Sequence, residues 1–377
     1  MQQLPLELVY SIFELVYYGH QYRVDYFTLS SCCLVCKPWT PYAQRLLLRD
    51  IHLDLSTDQS SLPAWSISSD AAKLLLSGSS NLGTHVRVLS VTLKTASTDV
   101  ESLASIMSSC PKLYELAFHS AAMYAFSDDD MAALEAVVKG GVRIRSLIVM
   151  GFGVQSPAIY QLISLWPSIQ FLRIGSEFVA SPPPYPSNLA LYELALHRLP
   201  SPEIVTWLLA SSKDTLRIFD CRDILSHGLT SILSPYAPSL RSVRLLRYSE
   251  QTANFLSLCI NLEEFAVYHI PLVTGFKNLP QSIEHFVFLN PTWSGSHTLQ
   301  PVIAAVKSLQ KLHTVTCDED SASHRHFPEL VAECEGRGIG LKSDALPLWR
   351  YDDAVMVNKF PRGRSVANWV LMEDALE

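Results

Sequence analysis

Leu113-Tyr114-Glu115-Leu116-Ala117-Phe118 is the stretch that decides the fold of this 377-residue chain. Three of these residues, Leu113, Leu116 and Phe118, are apolar and are spaced by three and then two positions; we call such a set the apolar ladder. The pattern occurs ten times after residue 80, with starts 21 to 31 residues apart. Because side chains alternate along a β-strand, the last two ladder residues share one face of a short strand. The ten instances are Val86-Leu89-Val91, Leu113-Leu116-Phe118, Ile144-Leu147-Val149, Ile169-Leu172-Ile174, Leu191-Leu194-Leu196, Leu216-Phe219-Cys221, Leu240-Val243-Leu245, Leu262-Phe265-Val267, Ile283-Phe286-Phe288 and Leu312-Val315-Cys317.

Helical stretches lie between these predicted strands. Ser127 precedes one that runs through Leu134, and Ser201 with Pro202 opens another, and these residue types are common at helix starts. A single strand-loop-helix unit has too little apolar area to fold alone, whereas stacked units bury a continuous core. The pattern and its interval resemble a degenerate leucine-rich repeat. The expected fold class is α/β: a solenoid with a parallel sheet on its concave face and helices on its convex face.

The first fifty residues predict three short helices. Pro5 suits the first turn of the first helix, and Pro38 and Pro41 separate the second helix from the third. The first helix is apolar over most of its circumference, so one face can pack on the next two helices while the other needs a partner. Its two apolar faces are Leu4, Leu8, Ile12 and Leu15, and Val9, Phe13 and Val16.

These helices also carry a family resemblance. Leu4-Pro5-Leu6-Glu7-Leu8 with Ile12-Phe13, followed by Leu34-Val35-Cys36-Lys37-Pro38-Trp39, resembles an F-box over about one seventh of the chain. The resemblance implies docking to the Skp-type linker protein of a Skp–cullin–F-box ubiquitin ligase, by a helix-in-groove contact. The alternative is an ordinary three-helix cap on the repeats. The residues implied for linker binding are Leu4, Pro5, Leu8, Ile12, Phe13, Leu34, Val35 and Trp39.

Four regions follow from these patterns. Residues 1–53 form the predicted F-box helical module, and residues 54–85 form a linker or first repeat cap. Residues 86–340 hold about ten degenerate repeats. Residues 341–377 lose the pattern but keep several aromatic residues, which predicts an ordered segment that caps the last repeat.

The residues between the ladder positions point to the concave face and form columns across successive strands. Asp220 and Arg244 are predicted on neighbouring strands, where they would form a structural ion pair. Apolar and arginine side chains in these columns are typical of interaction hot spots, unless the C-terminal segment covers them. We therefore expect the target protein to bind near Phe171, Arg222, Arg244 and Tyr268.

Composition narrows the function classes. Charged residues make up only 17% of the chain and the formal net charge is -7, which disfavours a nucleic-acid binder. No run of 18 apolar residues predicts a membrane span, and the first residues lack the features of a secretory leader. The eight cysteines do not follow disulfide spacings, so a reducing cytoplasmic or nuclear compartment is expected.

Motifs for catalysis or metal binding are not evident in the sequence. It contains no phosphate-binding loop, dinucleotide-binding glycine motif or Gly-x-Ser-x-Gly nucleophile motif. Cys32, Cys33 and Cys36 lie on one predicted helix without a second ligand pair, and Cys317 occupies an inward ladder position near His313. We expect no enzyme activity, no cofactor and no metal.

The expected function is that of a substrate-recognition adaptor of a Skp–cullin–F-box ubiquitin ligase. The helical module would dock to the Skp-type linker, and the repeats would bind an unknown protein target. The alternative is a leucine-rich-repeat interaction scaffold that has no ubiquitin-ligase role.

Overall fold

The computed structural model shows an α/β protein made of two compact units. Unit 1 comprises Met1–Ile169 with Arg364–Glu377, and unit 2 comprises Gln170–Gly363. The structure describes residues 5–19, 22–55, 66–76, 81–93, 100–120, 124–271, 275–289, 298–344, 352–357 and 359–376.

Unit 1 begins with three helices and continues with alternating strands and helices. Its strands are all parallel, in the spatial order β2-β1-β3-β4-β5. The elements are α1 (Leu6–Leu15), α2 (Tyr26–Val35), α3 (Thr40–Leu47), β1 (Asp50–Asp54), β2 (Ser66–Ser68), α4 (Ser69–Leu76), β3 (Val88–Leu93), α5 (Val100–Ser108), β4 (Glu115–Ser120), α6 (Asp128–Lys139), β5 (Ser146–Met150), α7 (Ala158–Leu165) and the C-terminal α13 (Asn368–Asp374).

Unit 2 repeats the strand-loop-helix arrangement. Its strands β6 to β13 are parallel and pair in chain order. The elements are β6 (Phe171–Ile174), β7 (Glu193–Leu196), α8 (Pro202–Leu209), β8 (Ile218–Cys221), α9 (His227–Leu233), β9 (Ser242–Arg247), α10 (Glu250–Leu256), β10 (Glu264–His269), β11 (His285–Phe288), α11 (Gln300–Ser308), β12 (Thr314–Asp318), α12 (Phe327–Gly336) and β13 (Gly340–Asp344).

The apolar ladder forms the core of both units. All thirty ladder residues are at most 5% exposed. The register pairs equivalent positions of neighbouring strands, as in Leu194 opposite Phe219 and Phe219 opposite Val243. The ladder residues share one face of the parallel strands, and the helices cover that face. The predicted parallel α/β architecture is therefore confirmed.

Helix starts follow the predicted capping residues. The Ser127 side chain accepts a hydrogen bond from the Asp130 backbone N–H at 3.2 Å, and the Asp130 carboxylate accepts one from the Ser127 N–H at 2.9 Å. The Ser201 side chain caps α8 by accepting a hydrogen bond from the Ile204 backbone N–H, with Pro202 in the first turn. These caps satisfy backbone donors that would otherwise lack partners.

Both units contain strands outside the range of the ladder pattern. Strand β1 overlaps the end of residues 1–53, the stretch assigned from the sequence to the helical module, and it pairs with β3 from Asp50 opposite Val88 to Asp54 opposite Thr92. Strand β13 pairs with β12 after the pattern has faded. Strand β13 has few buried side chains, so hydrophobic periodicity does not mark it.

Within the part of the chain that the structure describes, no helix is long and apolar enough to cross a bilayer.

Candidate functional site

The first three helices share a core with the C-terminal helix of unit 1. Phe13 of α1 packs edge-on against Trp39, with ring centroids 5.2 Å apart, and Tyr17 packs edge-on against Trp369 of α13 at 4.7 Å. Trp369 therefore completes a core that the N-terminal residues do not fill alone. The buried members of this core are Val9, Phe13, Tyr17, Leu29, Ala43, Leu46 and Trp369.

Helix α1 carries a second apolar stripe that faces outward. Leu8, Ile12 and Leu15 follow each other at helical spacing and are 52%, 47% and 82% exposed. The inward stripe begins one residue later, with Val9 and Phe13, both 2% exposed. One helix thus presents one apolar face to the core and another to solvent.

Helix α2 adds further exposed apolar side chains. Phe27 lies at its first turn, and Leu34 and Val35 lie at its last turn, all three exposed. Leu6 at the start of α1 is also exposed. We call the set Leu6, Leu8, Ile12, Leu15, Phe27, Leu34 and Val35 the outward apolar set.

Five of the eight residues implied for linker binding are exposed: Pro5, Leu8, Ile12, Leu34 and Val35. Leu4 lies outside the described residues.

Two residues implied for linker binding face the module's own core. Phe13 is buried in it and Trp39 is half-buried beside it, so Phe13 is a correction to the implied contact set. Leu6, Leu15 and Phe27 are exposed apolar residues that the resemblance did not name. The helical spacing of Leu15 from Leu8 is the signal that could have identified it.

The second candidate region is the face of the unit 2 sheet that the ladder does not occupy. Its side chains stand in columns that match the predicted ones, as in the register Arg173, Ala195, Asp220 and Arg244. Glu264 and His285 are likewise opposite each other on β10 and β11.

A buried charge network covers part of this face. The Arg244 guanidinium lies 2.8 Å from Glu264 and 2.9 Å from Asp352, and Arg362 lies 2.7 Å from Glu193. Asp352 and Arg362 belong to residues 352–357 and 359–363, which we call the covering segment. A buried ion network of this kind is stable only when each charge has close opposite charges and hydrogen bonds.

Further hydrogen bonds hold the network in place. The Ser242 hydroxyl donates to Glu264 at 2.6 Å, and the two ring nitrogens of His285 lie 3.0 Å from Glu264 and 2.9 Å from Thr316. The Tyr192 hydroxyl donates to the Val357 carbonyl at 2.8 Å, which attaches the middle of the covering segment.

The pKa shifts follow from this arrangement. Burial alone would raise the pKa of Glu193, but Arg362 and other guanidiniums outweigh burial and lower that pKa to about 2. Burial would also raise the pKa of Glu264, whereas Arg244 holds it well below its usual range. Both carboxylates are therefore ionised at neutral pH.

Asp220 lies opposite Arg244 in the register, as predicted, but the predicted ion pair is not formed among the described residues. The Arg244 guanidinium binds Glu264 and Asp352 instead. Asp220 is 2% exposed, and its Oδ1 has no hydrogen-bond partner within the described chain. Burial raises the pKa of Asp220 to about 6, although the nearby Arg222 acts in the opposite direction.

The covering segment changes the predicted target-binding set. Arg244 pairs with Asp352 of this segment and is 1% exposed, and Phe171, which packs against the Tyr192 ring, is 2% exposed, so neither side chain is available to a partner. These two residues are a correction to that set. Arg222 and Tyr268 remain half-buried and line an open cleft.

This cleft has a volume of about 750 Å³ and lies at the carboxyl ends of the unit 2 strands. The column that follows the covered ones supplies much of its wall: Gly175, His197, Arg222, Leu246, Tyr268, Leu289 and Asp318. Crevices beyond the carboxyl ends of parallel strands are common ligand sites in α/β proteins.

Cysteine reactivity bears on the kind of chemistry available. Burial raises the pKa of the Cys110, Cys221 and Cys259 thiols to about 12, so these three are protonated at neutral pH. Across the described residues, no group of three or more His, Cys, Asp or Glu side chains is placed to hold a metal ion.

The fold and its two candidate surfaces define an α/β repeat protein with an N-terminal helical module. No family model matches the sequence, and no curated protein is significantly similar to it.

Proposed function

We propose that this chain is a substrate-recognition adaptor of a Skp–cullin–F-box ubiquitin ligase. The F-box-like helices dock to the Skp-type linker through the outward apolar set, and the repeats, which we assign as degenerate leucine-rich repeats, hold the target. The observation that carries the proposal is the two-sided apolar character of α1, with Val9 and Phe13 inside and Leu8 and Ile12 outside.

The outward stripe has a free-energy consequence. Burying a fully exposed Leu or Ile side chain contributes about 1.5–3 kcal/mol, so covering several partly exposed ones contributes several kcal/mol to association. A helix that offers residues at spacings of four and three matches the helix-in-groove mode of recognition. Leu8, Ile12 and Leu15 have this spacing.

The adaptor role requires no bond-making group in this chain. Holding a target close to a transferring enzyme supplies proximity and orientation, and these alone can account for large rate effects. The protonated, buried thiols of unit 1 and unit 2 agree with such a role.

Co-expression of the full chain with a Skp-type linker protein tests the proposal. The wild-type chain is expected to co-elute with the linker in size-exclusion chromatography. Leu8→Asp with Ile12→Asp is expected to abolish co-elution, because two charges would enter an apolar contact. The fold should survive, because both positions are about half exposed.

A matched control carries the same chemical change on unit 2. Ile224 and Ile260 are 53% and 67% exposed, so Ile224→Asp with Ile260→Asp alters the surface to a similar degree. This variant is expected to keep the linker. If the wild-type chain does not co-elute with the linker, or if both double variants lose it equally, the proposal is wrong.

The rival is a repeat scaffold whose N-terminal helices only cap unit 1. The packing of Tyr17 against Trp369 is compatible with a cap. A cap, however, has no need for a second apolar stripe facing solvent, and monomeric proteins rarely expose contiguous apolar patches. Absence of linker binding would favour this rival.

A further inference from the structure

Among the described residues, part of the columned sheet face of unit 2 is open, and the cleft lies there. The network around Arg244 and Arg362 closes the two columns nearest the amino ends of the strands. The column at the carboxyl ends, which includes Arg222 and Tyr268, lines the cleft. A target that approaches this face therefore meets the carboxyl-end column.

The dimensions of the cleft favour an extended chain. Its wall takes at least one residue from, or directly after, the carboxyl end of each strand from β6 to β12. Seven parallel strands spaced by about 4.8 Å span about 29 Å. An extended polypeptide rises about 3.3 Å per residue, so eight or nine residues cover this distance.

The charge of the cleft favours an anionic occupant. Three arginines, Arg198, Arg222 and Arg247, line it together with two carboxylates, Glu177 and Asp318. Asp318 is already engaged, since its Oδ1 accepts hydrogen bonds from the Ser321 backbone N–H and hydroxyl. The three guanidiniums also outnumber the two carboxylates, so the lining has an excess of positive groups.

Arg222 is held in a defined position. Its guanidinium carbon lies 5.3 Å from the centroid of the Tyr268 ring, within the range of a cation–π contact. The planar guanidinium presents several N–H donors in a fixed fork that matches a carboxylate or a phosphate. Holding the side chain in advance reduces the conformational entropy lost on binding.

The same cleft also has an apolar part. Leu289 packs with Ala266 and Val287 on the columned face, and the Tyr268 ring lies against this cluster. Leu246 lines the cleft beside them. An occupant that places an apolar side chain next to an anionic one matches both halves of the lining.

We propose that this cleft binds an extended peptide segment of the target in which a carboxylate or phosphate group is followed or preceded by an apolar side chain. Arg222 and Arg247 bind the anionic group, and Tyr268, Leu246 and Leu289 contact the apolar one. The inference rests on the proposed function, because it states which kind of target segment the repeats hold.

The test uses the full chain and four immobilised peptide libraries. Each nine-residue peptide is random except for the central residue, which is Glu, phosphoserine, Gln or Lys. The Glu and phosphoserine libraries are expected to retain at least about tenfold more protein than the Gln library, and the Lys library the least. Retention is expected to fall as salt is raised, because the contact is partly exposed.

Substitutions locate the binding. Arg222→Gln and Arg247→Gln are each expected to weaken retention by about tenfold. Arg241→Gln is the matched control, since Arg241 precedes the same strand, about 20 Å from Arg247, and its guanidinium pairs with Glu263. Arg222→Lys, which keeps the charge but loses the planar fork, is expected to fall between wild type and Arg222→Gln.

The outcomes separate the sources of charge and the two proposals. Preference for the Glu library identifies a carboxylate, and preference for the phosphoserine library identifies a phosphate. Equal retention of the Gln, Glu and phosphoserine libraries overturns the inference, as does unchanged retention by the Arg222 and Arg247 variants. Linker co-elution is measured on the same preparations, so a failure of docking is distinct from a failure of the cleft.

Discussion

The guanidinium of Arg244 on β9 lies 2.9 Å from the carboxylate of Asp352, a residue 108 positions later in the chain. This contact brings the covering segment onto the columned face of unit 2. Within the described residues, Arg244 is only 1% exposed, whereas the column at the carboxyl ends of the strands lines an open cleft. The position of the candidate target site follows from this difference.

Replacing Arg244 by Leu should destabilise unit 2 by about 3–5 kcal/mol, because the buried Glu264 would lose its arginine partner and Asp352 would keep only Arg362, which lies 3.3 Å away. Urea unfolding followed by circular dichroism measures the change. Arg241→Leu removes an exposed arginine three residues earlier and should cost less than about 1 kcal/mol. Equal shifts in the two variants would contradict the buried network as a source of stability.

Asp220→Asn should make the protein more stable at pH 7 than the wild type. Folding raises the Asp220 pKa from 3.8 to about 6, so the folded state binds the proton more tightly than the unfolded state. The contribution of the Asp220 carboxyl to the free energy of unfolding of the wild type is fully present below pH 4 and is lost as pH rises through 6. The Asn variant has no such loss.

The expected advantage of Asp220→Asn is about 1–3 kcal/mol at pH 7, since one pKa unit corresponds to about 1.4 kcal/mol. Unfolding free energies measured at pH 4 and at pH 7 provide the comparison. The charged groups around Asp220 are Arg222, Arg244, Arg173 and Glu193. An advantage of the same size at both pH values would show that charge is not its cause.

Trp369→Ala should loosen the N-terminal helices although it lies near the C-terminus. The Trp369 ring packs against Tyr17, and the Arg49 guanidinium carbon lies 3.4 Å from its centroid. Truncating a buried Trp costs about 3–5 kcal/mol. Hydrogen exchange of the α1 amides should therefore rise, and linker co-elution should weaken as a consequence.

Val370→Ala is the control for this substitution. Val370 adjoins Trp369 on α13 but is 61% exposed, so its truncation should change stability by less than about 0.5 kcal/mol. Unchanged α1 exchange in the Trp369 variant would mean that the helical module is stable without the C-terminal helix.

Gly151→Ala should destabilise unit 1 more than Gly141→Ala. Both glycines have positive φ, 80° and 98°, which costs an alanine about 1–2 kcal/mol. At Gly151 an added Cβ would also overlap the Ser120 carbonyl, whereas at Gly141 it would meet open space. Comparing the melting temperatures of the two variants measures the cost of the overlap with the Ser120 carbonyl. Equal melting temperatures would show that this overlap has no such cost.

The repeat architecture could be predicted because each strand carries its own local signal. The spacing of Leu113, Leu116 and Phe118 predicts a buried strand face from neighbouring residues alone. Ten such patterns predict that the repeats stack on one another. Strand β13 escaped prediction because few of its side chains are buried, so its pairing with β12 rests on backbone hydrogen bonds that have no sequence pattern.

The candidate surfaces were predicted less completely. Helical spacing indicated that α1 needs cover on two sides, and the positions Leu8 and Ile12 followed from it. Helical spacing did not show which of the neighbouring residues faces inward. Phe13 was assigned to the contact with the partner, although it lies in the module's own core. Arg222 and Tyr268 were both assigned to the target-binding set, and the structure shows that the Arg222 guanidinium carbon lies 5.3 Å from the centroid of the Tyr268 ring.

The sequence by itself determined the parallel α/β repeat and the apolar excess of the first helix, because both arise from periodicities within a few residues. Only the tertiary structure decided that Asp352 and Arg362 close the columned face and that Trp369 completes the N-terminal core. The physical reason is that charges and rings far apart in the chain must find partners when they are buried, and local patterns do not say which partner is near.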